Sequence, residues 1–165
     1  MSSDRLRQIE KNLELLRQQQ GAVEEEIILT TGLPKIQAEQ RLRSHIKPQI
    51  RQYEEEYWQI LANQPEETAI AVADPAPEVV VAEIVDRVGQ LQASQQYSDQ
   101  VLQLLQDIDA KVSENKSAAA KLRGVLSLLP PFVNLSYEAE LDTENFLEMH
   151  FPTFRRWSKA LAKKS

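Results

Sequence analysis

Carboxylates and histidines are where any chemistry in this chain would begin. Glu138, Glu140, Asp142 and Glu144 stand close together, and glutamate triplets occupy positions 24–26 and 54–56. Such groups bind a cation or move a proton only if they converge on one point. Consecutive helical residues diverge by about 100°, so neither triplet can converge on an ion, and a solvated face is expected of both. On a strand, Glu138 and Glu140 would share a face, at the depth of ordinary solvated side chains. His45 and His150 lie in different segments with no motif around either. His45 is expected at the surface beside a helical seam, and His150 packed among aromatics. Four scattered glycines cannot build a phosphate-cradling loop. With no cysteine, there is no thiol nucleophile, disulfide or thiolate metal site. The residues point to no enzyme, no metal, no cofactor and no small-molecule substrate.

The charge balance narrows the partners. A net charge of −6 argues against nucleic acid, which needs a basic face. The charge is uneven. Residues 1–64 hold nine Lys/Arg and ten Asp/Glu, whereas residues 65–165 hold ten and fifteen. Apolar runs fall far short of the roughly 20 residues that span a bilayer. The opening MSSDRLRQIEKN lacks the apolar core of a secretory signal, so a cytoplasmic location is expected.

The elements that would position these side chains are mostly helical. Leu6, Ile9, Leu13, Leu16, Gln20, Val23 and Ile27 recur at alternating spacings of three and four, a heptad seam with one polar member. TTGLPK then supplies Gly32 to end a helix and Pro34 for the first turn of the next. A second seam runs through Ile36, Glu39, Arg43, Ile46, Ile50, Tyr53, Tyr57 and Ile60. In an antiparallel hairpin, facing residue numbers have a constant sum. Leu16 with Ile46, Leu13 with Ile50, Ile9 with Tyr53 and Leu6 with Tyr57 all meet that demand, and Gln20 falls opposite Arg43. The last two are expected to share one polar layer that fixes register. Pro48 removes a helical bond to the Ser44 carbonyl, so a kink is expected near residues 44–48.

The expected architecture is mainly α. An antiparallel coiled-coil hairpin (1–64) precedes a Pro/Ala-rich linker (65–77) and a small helical domain (78–165) with one or two short β-strands. Glu78 to Leu91 and the segment after Ser98 carry helical apolar stripes, and Ser98 is placed as an N-cap. A third stripe runs from Ala118 to Leu129, where Pro130-Pro131 is expected to end it. LLPPFVNLSYEAEL then alternates through Leu135, Tyr137, Ala139 and Leu141, which predicts a strand near 133–141. Its one internal mate would be TAIAVA at 68–73; unpaired, its edge could accept a strand from another chain. Asp142 and Thr143 are placed as caps of a last helix, which Pro152 kinks or restarts.

Two stretches carry a resemblance. LLRQQQGAVEEEIILTTGLPKIQAEQRLRSHIKPQIRQYEEEYWQIL is similar to effector-associated helical modules of bacterial, often cyanobacterial, signalling proteins, which accompany STAND-type NTPases and caspase-like peptidases. LLPPFVNLSYEAELDTENFLEMHFPTFRRW resembles a segment from the same group of proteins. The resemblance implies an adaptor that joins an effector to a regulator, and no NTPase or peptidase motif stands in this chain. The expectation is therefore a cytoplasmic interaction module that assembles with itself or another protein. Leu135, Tyr137, Phe154, Arg155 and Trp157 are its candidate contact residues. The alternative is a membrane-active bundle using the last helix, aromatic on one side and basic at its end.

Overall fold

A computed structural model describes residues 2–94, 96–139 and 141–165. Helix α1 (Ser2–Leu29) turns back at Thr30–Gly32, where Gly32 adopts φ +66°, into α2 (Gly32–Arg41). That positive φ is the conformation glycine alone tolerates without strain. The helix continues through a π-helical turn (Leu42–Ile46) into α3 (Lys47–Ala62). The expected register is visible in the packing of the hairpin's middle and base, but not at Ile36, which is 59% exposed while Ala38, off the expected seam, is the buried residue of α2. Leu16, Ile46 and Ile50 form a small core layer with Leu13, and Leu6, Ile9 and Tyr57 lie in the main core.

The π turn sits where Pro48 predicts a kink. Lys47 N–H reaches back five residues to the Leu42 carbonyl. In that register Pro48 should serve the Arg43 carbonyl, and it has no N–H to offer. The Tyr137 hydroxyl donates to that oxygen instead, at 3.4 Å.

After the hairpin come α4 (Glu66–Ile70), α5 (Pro77–Ser94), α6 (Asp99–Val112), α7 (Ala118–Leu126), α8 (Leu129–Glu138), α9 (Thr143–His150) and α10 (Pro152–Lys164). Three of their starts are capped by a nearby side chain: Ser98 accepts from Val101 N–H, Ser117 from Ala120 N–H and Asp142 from Asn145 N–H. Helix α10 has no such cap of its own. The Glu83 carboxylate of α5 accepts from Thr153 N–H at 3.1 Å instead.

No strand occurs among the described residues, which corrects the expectation at 133–141 and at 68–73. Pro130 and Pro131 start a helix here; they do not merely end one. At the first helical positions their missing N–H groups would be unpaired in any case. Leu129, Phe132, Val133 and Ser136 then fall at spacings of three, one and three and are buried as a helical face. The alternation through Leu135, Tyr137, Ala139 and Leu141 was coincidental to that face. Glu140 lies outside the described residues. TAIAVA falls on α4 and the turn after it, with Ala69 and Val72 buried.

The stretches expected as hairpin, linker and C-terminal domain pack around a shared core. One core runs from Leu6, Ile9, Trp58 and Leu61 of the hairpin through Ala69 and Val72 to Val80, Leu105, Leu126 and Trp157. Residues 65–77 are thereby packed into the body. Two neighbouring helices bury only the narrow seam between them, and the later helices cover the rest of the hairpin base.

Candidate functional site

Three places in this fold gather functional side chains. The first is a groove of about 750 Å³ between the middle of the hairpin and α8–α9. Gln20 and Arg43, the predicted polar layer, both line it, and no hydrogen bond joins them. Arg51 donates to Asn134 at 2.7 Å, and its guanidinium lies 5.1 Å from the Tyr137 ring centroid. At the groove floor Ser136 and Thr143 are buried and hydrogen-bonded to each other, and Ser136 also donates to the Val133 carbonyl.

The glutamate triplet at 54–56 diverges as helical geometry requires, and each member meets its own arginine. Glu54 pairs with Arg17, Glu55 with Arg51 and Glu56 with Arg5. The expected solvated face fails for Glu54, which is 8% exposed. Arg17 reaches it from α1 and also meets Asp142 at 3.3 Å, so one guanidinium joins α1, α3 and the α9 cap. Burial pushes the Glu54 carboxyl up to about 7, with Arg17 opposing the shift and Asp142 and Glu144 adding to it.

The second place surrounds Arg155, whose side chain is only 12% exposed. It donates to the Glu144 carboxylate at 2.9 Å, to the Tyr57 hydroxyl at 3.2 Å and to Ser158 at 3.1 Å. Its guanidinium also lies over the Tyr57 and Trp58 rings, 5.4 and 5.2 Å from their centroids. Burial works against a charged Glu144, yet the Arg155 charge and hydrogen bonds outweigh it and hold the carboxyl below the usual range. Burial likewise raises the Tyr57 hydroxyl, against the influence of Arg155.

Of the five candidate contact residues, Phe154 and Trp157 are fully enclosed in the core. Leu135 packs on the core's edge, Arg155 is committed to the cluster above, and Tyr137 is half-buried on the groove wall. The aromatic side of α10 is thus spent on packing. Among the described residues no helix is long and apolar enough to cross a membrane, and no group of three or more His, Cys, Asp or Glu could hold a metal ion. His45 is exposed, and His150 shares a 2.9 Å hydrogen bond with the Tyr97 hydroxyl. Burial, then the Arg87 charge, lowers its affinity for a proton.

The third place is the hairpin tip, which sequence reasoning missed. Ile28, Leu29, Leu33 and Ile36 are 81%, 74%, 64% and 59% exposed. The signal was available: Ile28, Leu29 and Leu33 lie off the heptad seam, and so have no facing residue within the hairpin. Comparison of the chain with protein-family models, with curated proteins and with solved structures finds no match.

Proposed function

We propose that this chain is a non-enzymatic protein–protein interaction module, an adaptor whose contact surface is the outer end of its hairpin. The carrying observation is the tip itself. Four large aliphatic side chains stand in solvent there, while the aromatic side chains of α10 are packed inside. Solvating large apolar side chains costs free energy that burial against a partner recovers. The hairpin's resemblance to effector-associated modules supports the same role, in signalling or conflict-system assembly inside the cell. The charged groove contributes less to this reading, because its arginines Arg17 and Arg51 already hold internal partners.

A photo-crosslinking residue placed at Leu33 in cells tests the proposal. A discrete adduct is expected from Leu33 and none from Met149, an exposed apolar position on α9. Absence of any adduct from Leu33, or identical adducts from both positions, would overturn it.

A further inference from the structure

We infer that Arg17 is a proton-operated latch, which ties the hairpin to the start of α9 while Glu54 is protonated and releases it when Glu54 ionises. The geometry sets one cation between two carboxylates. From α1, one amino nitrogen of Arg17 donates to Glu54 of α3 and the other to Asp142 at 3.3 Å. The two acceptors differ in their surroundings. Glu54 is buried, whereas Asp142 is exposed and also accepts from Asn145 N–H as the cap of α9. Fully ionised, the junction holds two negative charges against one positive, and its inner carboxylate is cut off from water. A single guanidinium cannot compensate both. A proton on Glu54 restores the balance and leaves the charge of Arg17 to Asp142.

The other charges around Glu54 do not relieve it. Asp142 and Glu144 add negative potential from the start of α9. Arg155 of α10 is held by Glu144 and Tyr57, and Arg51, one turn earlier on α3, by Glu55 and Asn134. Lys47 and Arg43 line the groove two and three turns away, and Glu138 of α8 lines it as a further acid. Burial, with Asp142 and Glu144 adding to it and Arg17 opposing, places the Glu54 titration at about 7, above the ordinary 4.5. The closed junction is therefore favoured most below pH 4.5 and loses ground as pH rises through 7. Release has a direction, because Arg17, Glu54, Asp142 and Thr143 all line the groove. An ionised Glu54 gains water from that side when the first turn of α9 moves off α3.

Amide hydrogen exchange on the full chain between pH 5 and pH 8, corrected for the intrinsic effect of pH on exchange, tests the latch. Asn145 and Phe146 report it, since their N–H groups bond to the Asp142 side chain and carbonyl. Their protection should fall roughly tenfold or more across that range. Protection in α6, which contributes no group to the junction, should stay constant. Glu54→Gln keeps an acceptor for Arg17 and cannot ionise, so the start of α9 should stay protected at both ends of the range. Asp142→Asn retains a capping side chain but weakens the tie to Arg17, so protection at pH 5 should drop toward the pH 8 level. Parallel losses in α6 and α9 would mean that the junction opens only with the whole fold, and would overturn the inference. So would an α9 indifferent to pH, or a Glu54→Gln chain that keeps the response. If Glu54→Gln does not fold, Asp142→Asn decides, and a response as large as that of the natural chain counts against the latch.

Discussion

The two ends of the hairpin are built from equally aliphatic sequence and meet opposite fates. At the base Leu6, Ile9, Tyr57 and Leu61 are almost completely enclosed, while at the tip Ile28, Leu29, Leu33 and Ile36 stand in solvent. The difference lies in the neighbours. The base is covered by α7, α8 and α10, whereas the tip has only its own two helices. Two helices can bury one seam between them and no more. An apolar residue off that seam needs a third element, which the same chain supplies at the base and does not supply at the tip.

The sharpest way to break this comparison is to truncate one residue at each end. Ile9→Ala should cost about 2–5 kcal/mol, because it opens a cavity in a closed core. Leu33→Ala should change stability by no more than about 0.5 kcal/mol when the chain is dilute. Urea unfolding checks both. Equal losses at the two ends would mean that the tip is covered within the monomer. Near the base, Arg155→Ala should cost about 3 kcal/mol, since it strands the part-buried Glu144 carboxylate and uncovers two rings. Arg155→Lys should recover only part of that loss, having neither the planar fork nor the ring stacking.

The middle of the hairpin should show itself through pH. The folded Glu54 carboxyl titrates at about 7, above its ordinary 4.5, so the folded state binds this proton more readily than the unfolded chain. Its contribution to stability is therefore complete below pH 4.5 and is lost as pH rises through 7. Glu144, held below the ordinary range, acts in the opposite sense: its contribution is present at neutral pH and is lost as pH falls below about 4.5. Between pH 5 and 8 the Glu54 effect should dominate. The stability of the natural chain relative to Glu54→Gln should fall by roughly 3 kcal/mol across that window. No change in the difference would show that Arg17 fully offsets the burial of Glu54.

Legibility in the sequence follows the range of the interaction. Seam register, the Gly32 turn, the Ser98 and Asp142 caps and the Pro48 distortion all depend on residues within a few positions, or on a two-helix repeat. Each could be read directly. The segment from Leu128 to Leu141 could not, because two patterns coexist in it. Its period-two alternation is visible at a glance, while the face Leu129, Phe132, Val133 and Ser136 includes a serine whose partner, Thr143, is contributed by the following helix. The groove was also hidden, since Arg17, Glu54 and Asp142 are far apart along the chain. The glutamate triplet announced that its members diverge, but not that an arginine waits for each of them. Phe154 and Trp157 read as contact residues in the sequence because an amphipathic helix looks identical whether its own core, another protein or a membrane covers its apolar side.

The smallest predicted effect concerns the join between these regions, where the hairpin distorts and α8 docks on it. If Pro48 orphans the Arg43 carbonyl, the Tyr137 hydroxyl is there to satisfy it, and the two residues should be energetically coupled. Tyr137→Phe removes one long hydrogen bond and leaves the ring in place under Arg51. It should cost about 0.5–1 kcal/mol. In a Pro48→Ala background the restored N–H can serve the Arg43 carbonyl through the same five-residue reach that Lys47 makes to Leu42. There, Tyr137→Phe should cost close to nothing. A double-mutant cycle by thermal unfolding measures the difference directly. A tyrosine loss of the same size in both backgrounds would separate the two residues, and the π turn would then owe its place to the packing of α8 and α1 on either side of it.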